Sequence, residues 1–344
     1  MGKKKLIESE EMRAVCITSD NGVELKKVPV PKRTEPAHLV IKILACGINP
    51  GDKAFIGGAF PPGSIPASLH DICGVSGAGK VIEAGDGVPQ EYKGKNVAVY
   101  RSLKFSDNMV GTWSEYAHMH YHHCVILPDN VNLEKYSGSL VNTITPYAFL
   151  KQITEEGHKG IICTAGNSAT GRAMLGICLA YNVPIISIVR REEDKKILEE
   201  LDAPGVLIQD DPNFDTQLEK LSNQLKTTAV FDGVGGELIS KVAKVLPRGS
   251  SIYAYGLLGG DQPLCIHNSM LLMNDLTITG FGNFTSKTVQ DPEKLWEALK
   301  DLSGIINMPH FKTKVGKIFK LEEINEALQF SSDSGGKAVL CPFI

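Results

Sequence analysis

The pattern of apolar and polar positions changes along the chain near residue 137. Before that point, short β-type runs such as "LVIKILACG" and "KNVAVY" alternate with glycine and proline, which is typical of a compact, mostly antiparallel β domain. After it, helical stretches alternate with the aliphatic runs "GIICTA", "VPIISIV", "AVFDGVGG", "SIYAYG" and "LTITGF". This order predicts βαβ units on a parallel sheet, and the chain as a whole is predicted to be an α/β protein of two domains.

The end of the chain departs from the βαβ order. The segment "DPEKLWEALKDLSGII" predicts a helix that begins at Asp291 with Pro292 in its first position. Beyond it, "TKVGKIFKLEEINEALQF" and "GGKAVLCPFI" predict a strand, a helix and a final strand that return to the first domain. We therefore expect one domain from residues 1–137 and 306–344, and a second from residues 138–305.

The stretch "TAGNSATGRAMLG", residues 164–176, joins an apolar run to a run of helical spacing, so it predicts a strand, a tight turn and a helix. A dinucleotide pyrophosphate binds over such a helix N-terminus, where free N–H groups and the helix dipole favour negative charge. Ala165, Ser168 and Gly171 hold the places that glycines usually take in such a turn. Taken alone, the turn is also compatible with a plain strand-to-helix connection.

The next strand, "IISIVRRE", ends about 20 residues past the turn, where an acidic residue holds the ribose 2′-hydroxyl of NAD. Arg190 and Arg191 stand there instead, and arginines suit a 2′-phosphate through charge-assisted hydrogen bonds. The alternative is a pair of solvated arginines at a helix start. The pattern favours NADPH over NADH as the cofactor.

Composition excludes several classes of partner. The chain has 344 residues, of which 42% are hydrophobic, and 36 basic against 39 acidic residues give a net charge of −3. This balance favours neither nucleic acid nor an anionic membrane surface as a partner. No apolar run approaches the roughly 20 residues that span a bilayer, and no signal-peptide core is evident, so we expect a soluble cytoplasmic protein.

The eight cysteines are scattered and never form a Cys-x-x-Cys pair. This spacing argues against a disulfide framework and against a structural zinc lobe. Most of them are predicted to be small buried apolar residues.

The order of "GINPGD", "GAGKVIEAG", "GTWSEYA", "LVNTITPYAFL", "TAGNSATG", "VFDGVGG", "AYGLL" and "GKAVL" resembles the zinc-independent medium-chain dehydrogenase/reductases. Within them, the chain is most similar to quinone oxidoreductases and to 2-enoyl thioester reductases of mitochondrial type. The resemblance covers nearly the whole chain. It implies a GroES-like, β-rich catalytic domain made from both chain ends, a Rossmann domain with a doubly wound parallel sheet, and a homodimer.

The resemblance also implies a set of cofactor-binding residues. Residues 167–170 would line the pyrophosphate, the two arginines would contact the 2′-phosphate, and most of the others would lie along the nicotinamide, with Lys337 closing on the cofactor. As alternatives, Asn142 and Thr145 could cap a helix and Lys337 could be a solvated strand end. The implied set is Asn49, Asn142, Thr145, Asn167, Ser168, Ala169, Thr170, Arg190, Arg191, Tyr255, Gly256, Leu257, Leu258, Phe281, Gly282, Asn283 and Lys337.

No catalytic zinc is expected. Zinc-dependent members of the family have a Cys and a His-Glu pair at positions that read Asn49, Val75 and Ser76 here. His118, His120 and His122 are spaced as on one face of a strand and could in principle bind a metal. Because nothing nearby supplies a carboxylate or a cysteine, a polar strand face is the expected interpretation.

The proton donor is not identified by the sequence. Enoyl reductases of this type carry a tyrosine where this chain has Phe60, which we place with Asn49 in the substrate pocket. His70 and Asp71 lie downstream and could substitute as an acid pair, although a pair in a surface loop is the expected alternative. We therefore assign no catalytic residue.

The sequence thus predicts an NADPH-dependent, metal-free oxidoreductase that transfers a hydride to a quinone or an α,β-unsaturated carbonyl compound. One alternative is a trans-2-enoyl-CoA or acyl-carrier-protein thioester reductase, and another is a non-catalytic NADPH-binding relative. The expected partners are a small-molecule substrate and a second copy of the chain, with neither nucleic acid nor membrane. The segment "LTITGFG", residues 276–282, is the predicted edge strand of the homodimer contact.

Overall fold

The computed structural model of the chain describes residues 9–31, 34–59, 67–332 and 335–344. The chain forms two compact units. The first unit contains residues 1–141, 289–307 and 312–344, and the second contains residues 142–288 and 308–311. Within the described part of the chain, every helix is too short or too polar to span a bilayer.

The regular elements are named here in chain order. The strands are β1 (Glu11–Ile17), β2 (Val23–Pro29), β3 (His38–Gly47), β4 (Ser76–Ala84), β5 (Asn96–Tyr100), β6 (Tyr116–His120), β7 (Cys124–Ile126), β8 (Ile161–Cys163), β9 (Ile185–Val189), β10 (Val206–Ile208), β11 (Ala229–Asp232), β12 (Ser251–Ala254), β13 (Thr277–Gly280), β14 (Val315–Phe319) and β15 (Lys337–Leu340). The helices are α1 (Pro50–Ile56), α2 (Ser139–Glu155), α3 (Ala169–Ala180), α4 (Glu192–Glu199), α5 (Phe214–Leu225), α6 (Gly236–Ala243), α7 (Asn268–Met273), α8 (Lys287–Gln290), α9 (Pro292–Ser303) and α10 (Ile324–Gln329).

The first unit is a β structure built from both ends of the chain. Its main sheet has the order β14-β15-β3-β4-β5-β7, β6 also pairs with β3, and β1 pairs with β2 in a separate hairpin. All these pairs are antiparallel except β14 with β15. Because β15 lies against β3, the carboxyl-terminal segment completes the sheet that the first residues begin. The expected GroES-like, β-rich domain is confirmed.

Helix α9 belongs to the first unit, whereas the βαβ pattern led us to expect residues up to 305 in the second. Leu295, Leu299 and Leu302 on this helix are fully buried. The Trp296 ring stacks on His122 with ring centroids 4.5 Å apart. This apolar face packs on β7 and the turn after β6, so burial rather than chain order decides where the helix lies.

The second unit is a Rossmann domain. Within its described residues, the strands form one sheet of order β10-β9-β8-β11-β12-β13, and every neighbouring pair is parallel. Residues of β8 and β9 are completely buried, as expected for strands that are covered on both faces. The strand order reverses between β8 and β11, and in such sheets ligands bind outside the carboxyl ends of the strands at this point.

Histidines of the first unit are packed together instead of forming a polar strand face. Strand β6 ends at His120, so His122 lies in the short 3-10 turn Tyr121–His123. His118 is buried and stacks on His38, with ring centroids 5.0 Å apart. His120 stacks on Phe105 at 4.3 Å. The expectation of a polar strand face is therefore wrong, because His122 lies outside the strand and the rings pack against aromatic side chains, although His120 and His122 are only partly buried.

The cysteines agree with the expectation from their spacing. All eight are free thiols, and all are buried except Cys265, which is exposed. The seven buried cysteines act as small apolar residues.

Candidate functional site

The turn between β8 and α3, residues 164–168, is the one for which the sequence predicts pyrophosphate binding, and it is called the phosphate turn below. Ala165 adopts a left-handed conformation with φ of 48°, and Ser168 caps α3 by accepting a hydrogen bond on Oγ from the backbone N of Gly171 at 3.0 Å. A Cβ at Gly171 would lie 2.4 Å from the carbonyl oxygen of Ala165, so a side chain there would force the turn away from the helix. Gly171 thus has the role that the sequence assigned to it. The first N–H groups of α3 are those that such a turn offers to a pyrophosphate.

A second loop is tied to this turn at the carboxyl edge of the sheet. Thr164 donates through Oγ1 to Asp232 Oδ1 at 2.7 Å, and the backbone N of Gly233 donates to Thr164 Oγ1 at 2.9 Å. Asp232 also accepts from the backbone N of Val234 and of Gly235. Burial raises the pKa of the Asp232 carboxyl, while these hydrogen bonds act in the opposite direction. Asp232 is a structural residue, and the sequence pattern gave no signal for it.

The hydroxyl of Tyr255 is a buried polar group beside these loops. Its ring stacks on Phe231 with centroids 3.9 Å apart, and its hydroxyl lies 2.6 Å from the place of a Cβ on Gly233. Among the described residues, this buried hydroxyl has no hydrogen-bond partner of normal geometry. Burial raises the pKa of the phenol well above its usual value, and the nearby Ser168 offsets part of this rise. A buried hydroxyl with unused hydrogen-bonding capacity next to the phosphate turn fits a polar ligand group at this edge.

The two arginines after β9 differ in their surroundings. Both arginines are exposed, but Arg191 pairs with Asp194, its Nε donating to Oδ2 at 2.9 Å and its Nη2 to Oδ1 at 3.1 Å. Asn167 of the phosphate turn donates through Nδ2 to the same Asp194 Oδ1 at 2.7 Å. The hydrogen bond from Arg191 lowers the pKa of the Asp194 carboxyl. Arg172 of α3 holds Asn167 from the other side, with Nη1 donating to its backbone oxygen at 2.9 Å.

Helix α2 presents two further predicted residues to the same unit. Asn142 accepts through Oδ1 from Thr170 Oγ1 at 3.3 Å, and Thr145 accepts through Oγ1 from Asn283 Nδ2 at 2.6 Å. Both lie inside the helix, which begins at Ser139, so the alternative of a helix cap is wrong. The structure thus brings Asn142 to the phosphate turn and Thr145 to the segment after β13.

The other residues predicted to lie along the nicotinamide differ in their exposure. The Phe281 side chain is buried against Phe149 and Phe231, so it belongs to the core, and only its backbone is available to a ligand. Leu257 and Leu258, after β12 and Gly256, are 84% and 57% exposed. Gly282 lies between Phe281 and the Asn283 that contacts α2, and Ala169 is the first residue of α3.

The first unit has a buried polar cluster at Asn49. The backbone N and Nδ2 of Asn49 both donate to Asp52 Oδ2, at 2.8 and 3.0 Å, and Nδ2 also donates to Ser76 Oγ at 3.0 Å. Lys337 donates through Nζ to Asn49 Oδ1. Burial raises the pKa of the Asp52 carboxyl, while hydrogen bonds from Asn49 and the charge of Lys337 act against this rise. The side-chain amide of Asn49 therefore has one possible orientation, because only NH₂ can donate to a carboxylate and only its oxygen can accept from an ammonium.

A buried cation lies near this cluster. Arg101 is 2% exposed and donates through Nε to the backbone oxygen of Gly74 at 3.3 Å. Burial lowers the pKa of its guanidinium to about 10, and the charge of Asp52 acts in the opposite direction. The side chains at the family's zinc positions, Asn49, Val75 and Ser76, include no thiolate, imidazole or carboxylate. Across the described ranges, no three His, Cys, Asp or Glu side chains are arranged to hold a metal ion.

The two candidate acids for proton delivery, His70 and Asp71, lie at the surface. Phe60 lies outside the described residues. His70 and Asp71 are exposed in the 3-10 turn Leu69–Asp71, and both have left-handed backbone with φ of 58° and 54°. This placement agrees with the alternative of a surface loop pair.

Family models match both units. The alcohol dehydrogenase GroES-like domain matches residues 35–129, and the zinc-binding dehydrogenase domain matches residues 169–301. Between them the two matches cover most of the chain.

Individual relatives agree with these matches. The mitochondrial enoyl-acyl-carrier-protein reductase of Caenorhabditis elegans is 27% identical over 317 residues, which are 89% of this chain and 85% of that protein. Among solved structures, the quinone oxidoreductase of Escherichia coli complexed with NADPH has a TM-score of 0.72 at 18% identity, over 96% of this chain and 99% of that one. A mutant enoyl thioester reductase of Candida tropicalis has a TM-score of 0.75 at 20% identity, over the same shares of the two chains. These two likenesses concern the fold alone. The chain belongs to the medium-chain dehydrogenase/reductase superfamily, and within it is similar to quinone and enoyl reductases.

Proposed function

We propose that the protein is an NADPH-dependent, metal-free reductase that transfers a hydride to a quinone or an α,β-unsaturated carbonyl compound. The observation that carries this proposal is the pair Arg190 and Arg191 at the end of β9, next to a phosphate turn with the orphaned hydroxyl of Tyr255. The Escherichia coli quinone oxidoreductase of the same fold was solved with NADPH.

The residues of the second unit fit the parts of such a cofactor. The backbone of residues 166–171 would hold the pyrophosphate, and the arginine side of β9 would hold the 2′-phosphate. Tyr255, Thr145 and Asn283 would line the remainder, as the resemblance implies. NADPH would supply the hydride, and the chain would orient the cofactor and exclude water.

In the first unit, the resemblance implies that Asn49 lies near the nicotinamide and that Lys337 closes on the cofactor. A carbonyl acceptor gains negative charge on its oxygen as the hydride arrives, and a fixed donor lowers the free energy of that charge. Lys337 would be such a donor, with its Nζ oriented by the hydrogen bond to Asn49 Oδ1. Asp52 and Ser76 fix that amide in turn.

The choice of acceptor follows from Phe60. Reduction of an enone needs a proton at the α-carbon after the hydride has reached the β-carbon, whereas a reduced quinone is a phenolate-like product that water can protonate. Phenylalanine has no proton to give, which favours quinones and reactive enones. The second candidate, an enoyl thioester reductase, is favoured by the relatives found by sequence, which are mitochondrial enoyl reductases. A non-catalytic NADPH-binding relative is the third.

Two measurements test the proposal. Loss of NADPH absorbance with a panel of quinones, enones and short 2-enoyl-CoA thioesters separates the three candidates. Quinone or enone reduction is expected, thioester reduction as the fastest reaction would favour the second candidate, and no turnover despite NADPH binding would favour the third. In a fluorescence titration, Arg190→Ala together with Arg191→Ala should raise the NADPH dissociation constant at least tenfold, because a charge-assisted contact contributes about 1.5–3 kcal/mol. A change within about twofold would contradict the choice of NADPH.

The assembly and the compartment are part of the same proposal. Strand β13 is an edge strand with all four residues exposed, and the neighbouring α7 exposes Leu271, Leu272 and Met273. We propose a homodimer through this edge and a cytoplasmic location, which cell fractionation would check.

A further inference from the structure

Four polar side chains of the second unit connect the phosphate turn to the arginine pair. Arg172 donates to Asn167, Asn167 donates to Asp194, and Asp194 accepts both Nε and Nη2 of Arg191. Arg172 and Asp194 are each 9% exposed, so the middle of this chain of contacts is largely shielded from water. The sequence pattern did not single out either of these two residues.

The two arginines are therefore not equivalent. The planar fork of Arg191 is engaged by a carboxylate, which takes up its charge and fixes its orientation. Both side chains are exposed, but among the residues that the structure describes Arg190 has neither an ion pair nor a hydrogen bond, and it acts on Asp194 only through its charge, which lowers the pKa of that carboxyl. A phosphate group that approaches the end of β9 would find one unpaired guanidinium and one that is already paired.

We propose that Arg190 alone distinguishes NADPH from NADH, and that Asp194 is a positioning residue that ties Arg191 to the phosphate turn. This inference rests on the proposed binding of NADPH and divides the roles within that site. The contact of Arg191 with Asp194 positions the phosphate turn, and Arg191 does not itself bind the 2′-phosphate.

Through its hydrogen bond with Asn167, Asp194 should affect the affinity for both nucleotides and not the preference between them. The amide of Asn167 is fixed from both sides, with Oδ1 toward Arg172 and Nδ2 toward Asp194. Asn167 lies in the segment whose backbone N–H groups face the pyrophosphate, and a pyrophosphate is common to NADPH and NADH. Loss of the Asp194 contact should loosen this backbone and weaken both nucleotides by the same factor, which leaves their ratio unchanged.

Single variants separate the two roles in fluorescence titrations with NADPH and with NADH. Arg190→Ala should raise the dissociation constant of NADPH about tenfold or more and leave that of NADH within about twofold. Arg191→Ala and Asp194→Asn should each raise both constants by a similar factor of about three or more, and the double variant should be no weaker than either single one. Arg191→Lys should behave as Arg191→Ala, since lysine binds phosphate well but cannot reproduce a bidentate pair with a carboxylate.

Glu193→Gln is the matched control, because Glu193 is exposed and its carboxylate lies 3.9 Å from Arg191 without the bidentate contact. It removes the same charge and should change neither constant. The inference is wrong if Arg191→Ala weakens NADPH selectively, or if Arg191→Lys restores NADPH binding. If NADPH affinity is unchanged in both alanine variants, the proposed cofactor itself is wrong. The unfolding temperature of each variant is measured alongside, and if Arg191→Ala does not fold, Arg191→Lys and Asp194→Asn carry the same test.

Discussion

Lys337 at the start of β15 donates a hydrogen bond to the side-chain oxygen of Asn49, the residue that caps α1. The other end of that amide donates to the buried carboxylate of Asp52. A carboxylate and an ammonium group are thus joined through one neutral amide. The amide of Asn49 offers each charged group a partner of the correct polarity.

Replacement of the Asn49 amide should destabilise the folded protein. We expect Asn49→Leu to lower the free energy of unfolding by about 3 kcal/mol, because a buried carboxylate loses a donor. Ser76→Ala is the matched control, since it removes one acceptor of the same amide but leaves Asp52 paired, and it should cost about 1 kcal/mol. Urea unfolding measures both values. Equal losses in the two variants would contradict the central role of Asn49.

Stability should depend on pH through the packed histidines. Burial lowers the pKa of His118, His122 and His123, and that of His120 to about 4. The unfolded chain, with histidine pKa near 6.5, therefore binds more protons than the folded chain between about pH 4 and 6.5, so stability is lost as the pH falls through this window.

Charged neighbours modulate this effect. Lys300 lowers the pKa of His122 and Arg101 that of His123, while Glu35 raises that of His118. Urea unfolding at intervals from pH 7.5 to 5 should give a slope above about 1.4 kcal/mol per pH unit, the value for one proton. His120→Phe should reduce the slope and the exposed His70→Gln should not. A flat profile across this range would refute the prediction.

The purified protein is expected to contain no stoichiometric zinc. The three family positions offer an amide, an aliphatic side chain and a hydroxyl, which are poor zinc ligands. Elemental analysis after dialysis against a chelator measures the metal content. About one zinc per chain that survives this treatment would overturn the metal-free assignment.

The edge of the second unit's sheet should pair with its copy. Light scattering at micromolar concentration should give twice the chain mass of 37.3 kDa. Ile278→Lys on β13 should shift the protein toward the monomer, because a lysine opposes strand addition at an edge. Ile208→Lys on β10, at the other edge of the same sheet, should leave the mass unchanged. A monomeric parent protein would count against the dimer.

Phe60→Tyr should create a proton donor for thioester substrates. A positioned acid contributes about 10²–10⁴-fold to a rate, so reduction of a short 2-enoyl-CoA should rise while quinone reduction stays nearly constant. Phe343→Tyr adds the same hydroxyl at an exposed position and should change neither rate. If the parent protein already reduces the thioester faster than any quinone or simple enone, another residue must be the donor.

Local patterns were sufficient to predict the two sheets and the strand, turn and helix at residues 164–176. The period of the apolar residues predicted both sheets, and Ala165, Ser168 and Gly171 occur as the turn requires. Such patterns do not predict which distant segments of the chain come into contact. Asp194 reads as an ordinary acidic residue in the first turn of a helix, and its role appears only once the chain has brought Asn167 beside it. The same holds for α9, because its amphipathic pattern predicts a buried face but not which of the two units buries it.

The place of β15 in the first sheet also sets the order in which the protein can fold during synthesis. Residues 142–288, which form nearly all of the second unit, are continuous and emerge from the ribosome together. Strand β3 cannot pair with β15 until residues 337–340 have been made, because a long stretch of sequence separates the two strands. We expect the second unit to fold first on the ribosome, with only the Cys46–Gly47 end of β3 left unpaired until β15 is made, and nascent-chain chaperones would cover this short edge.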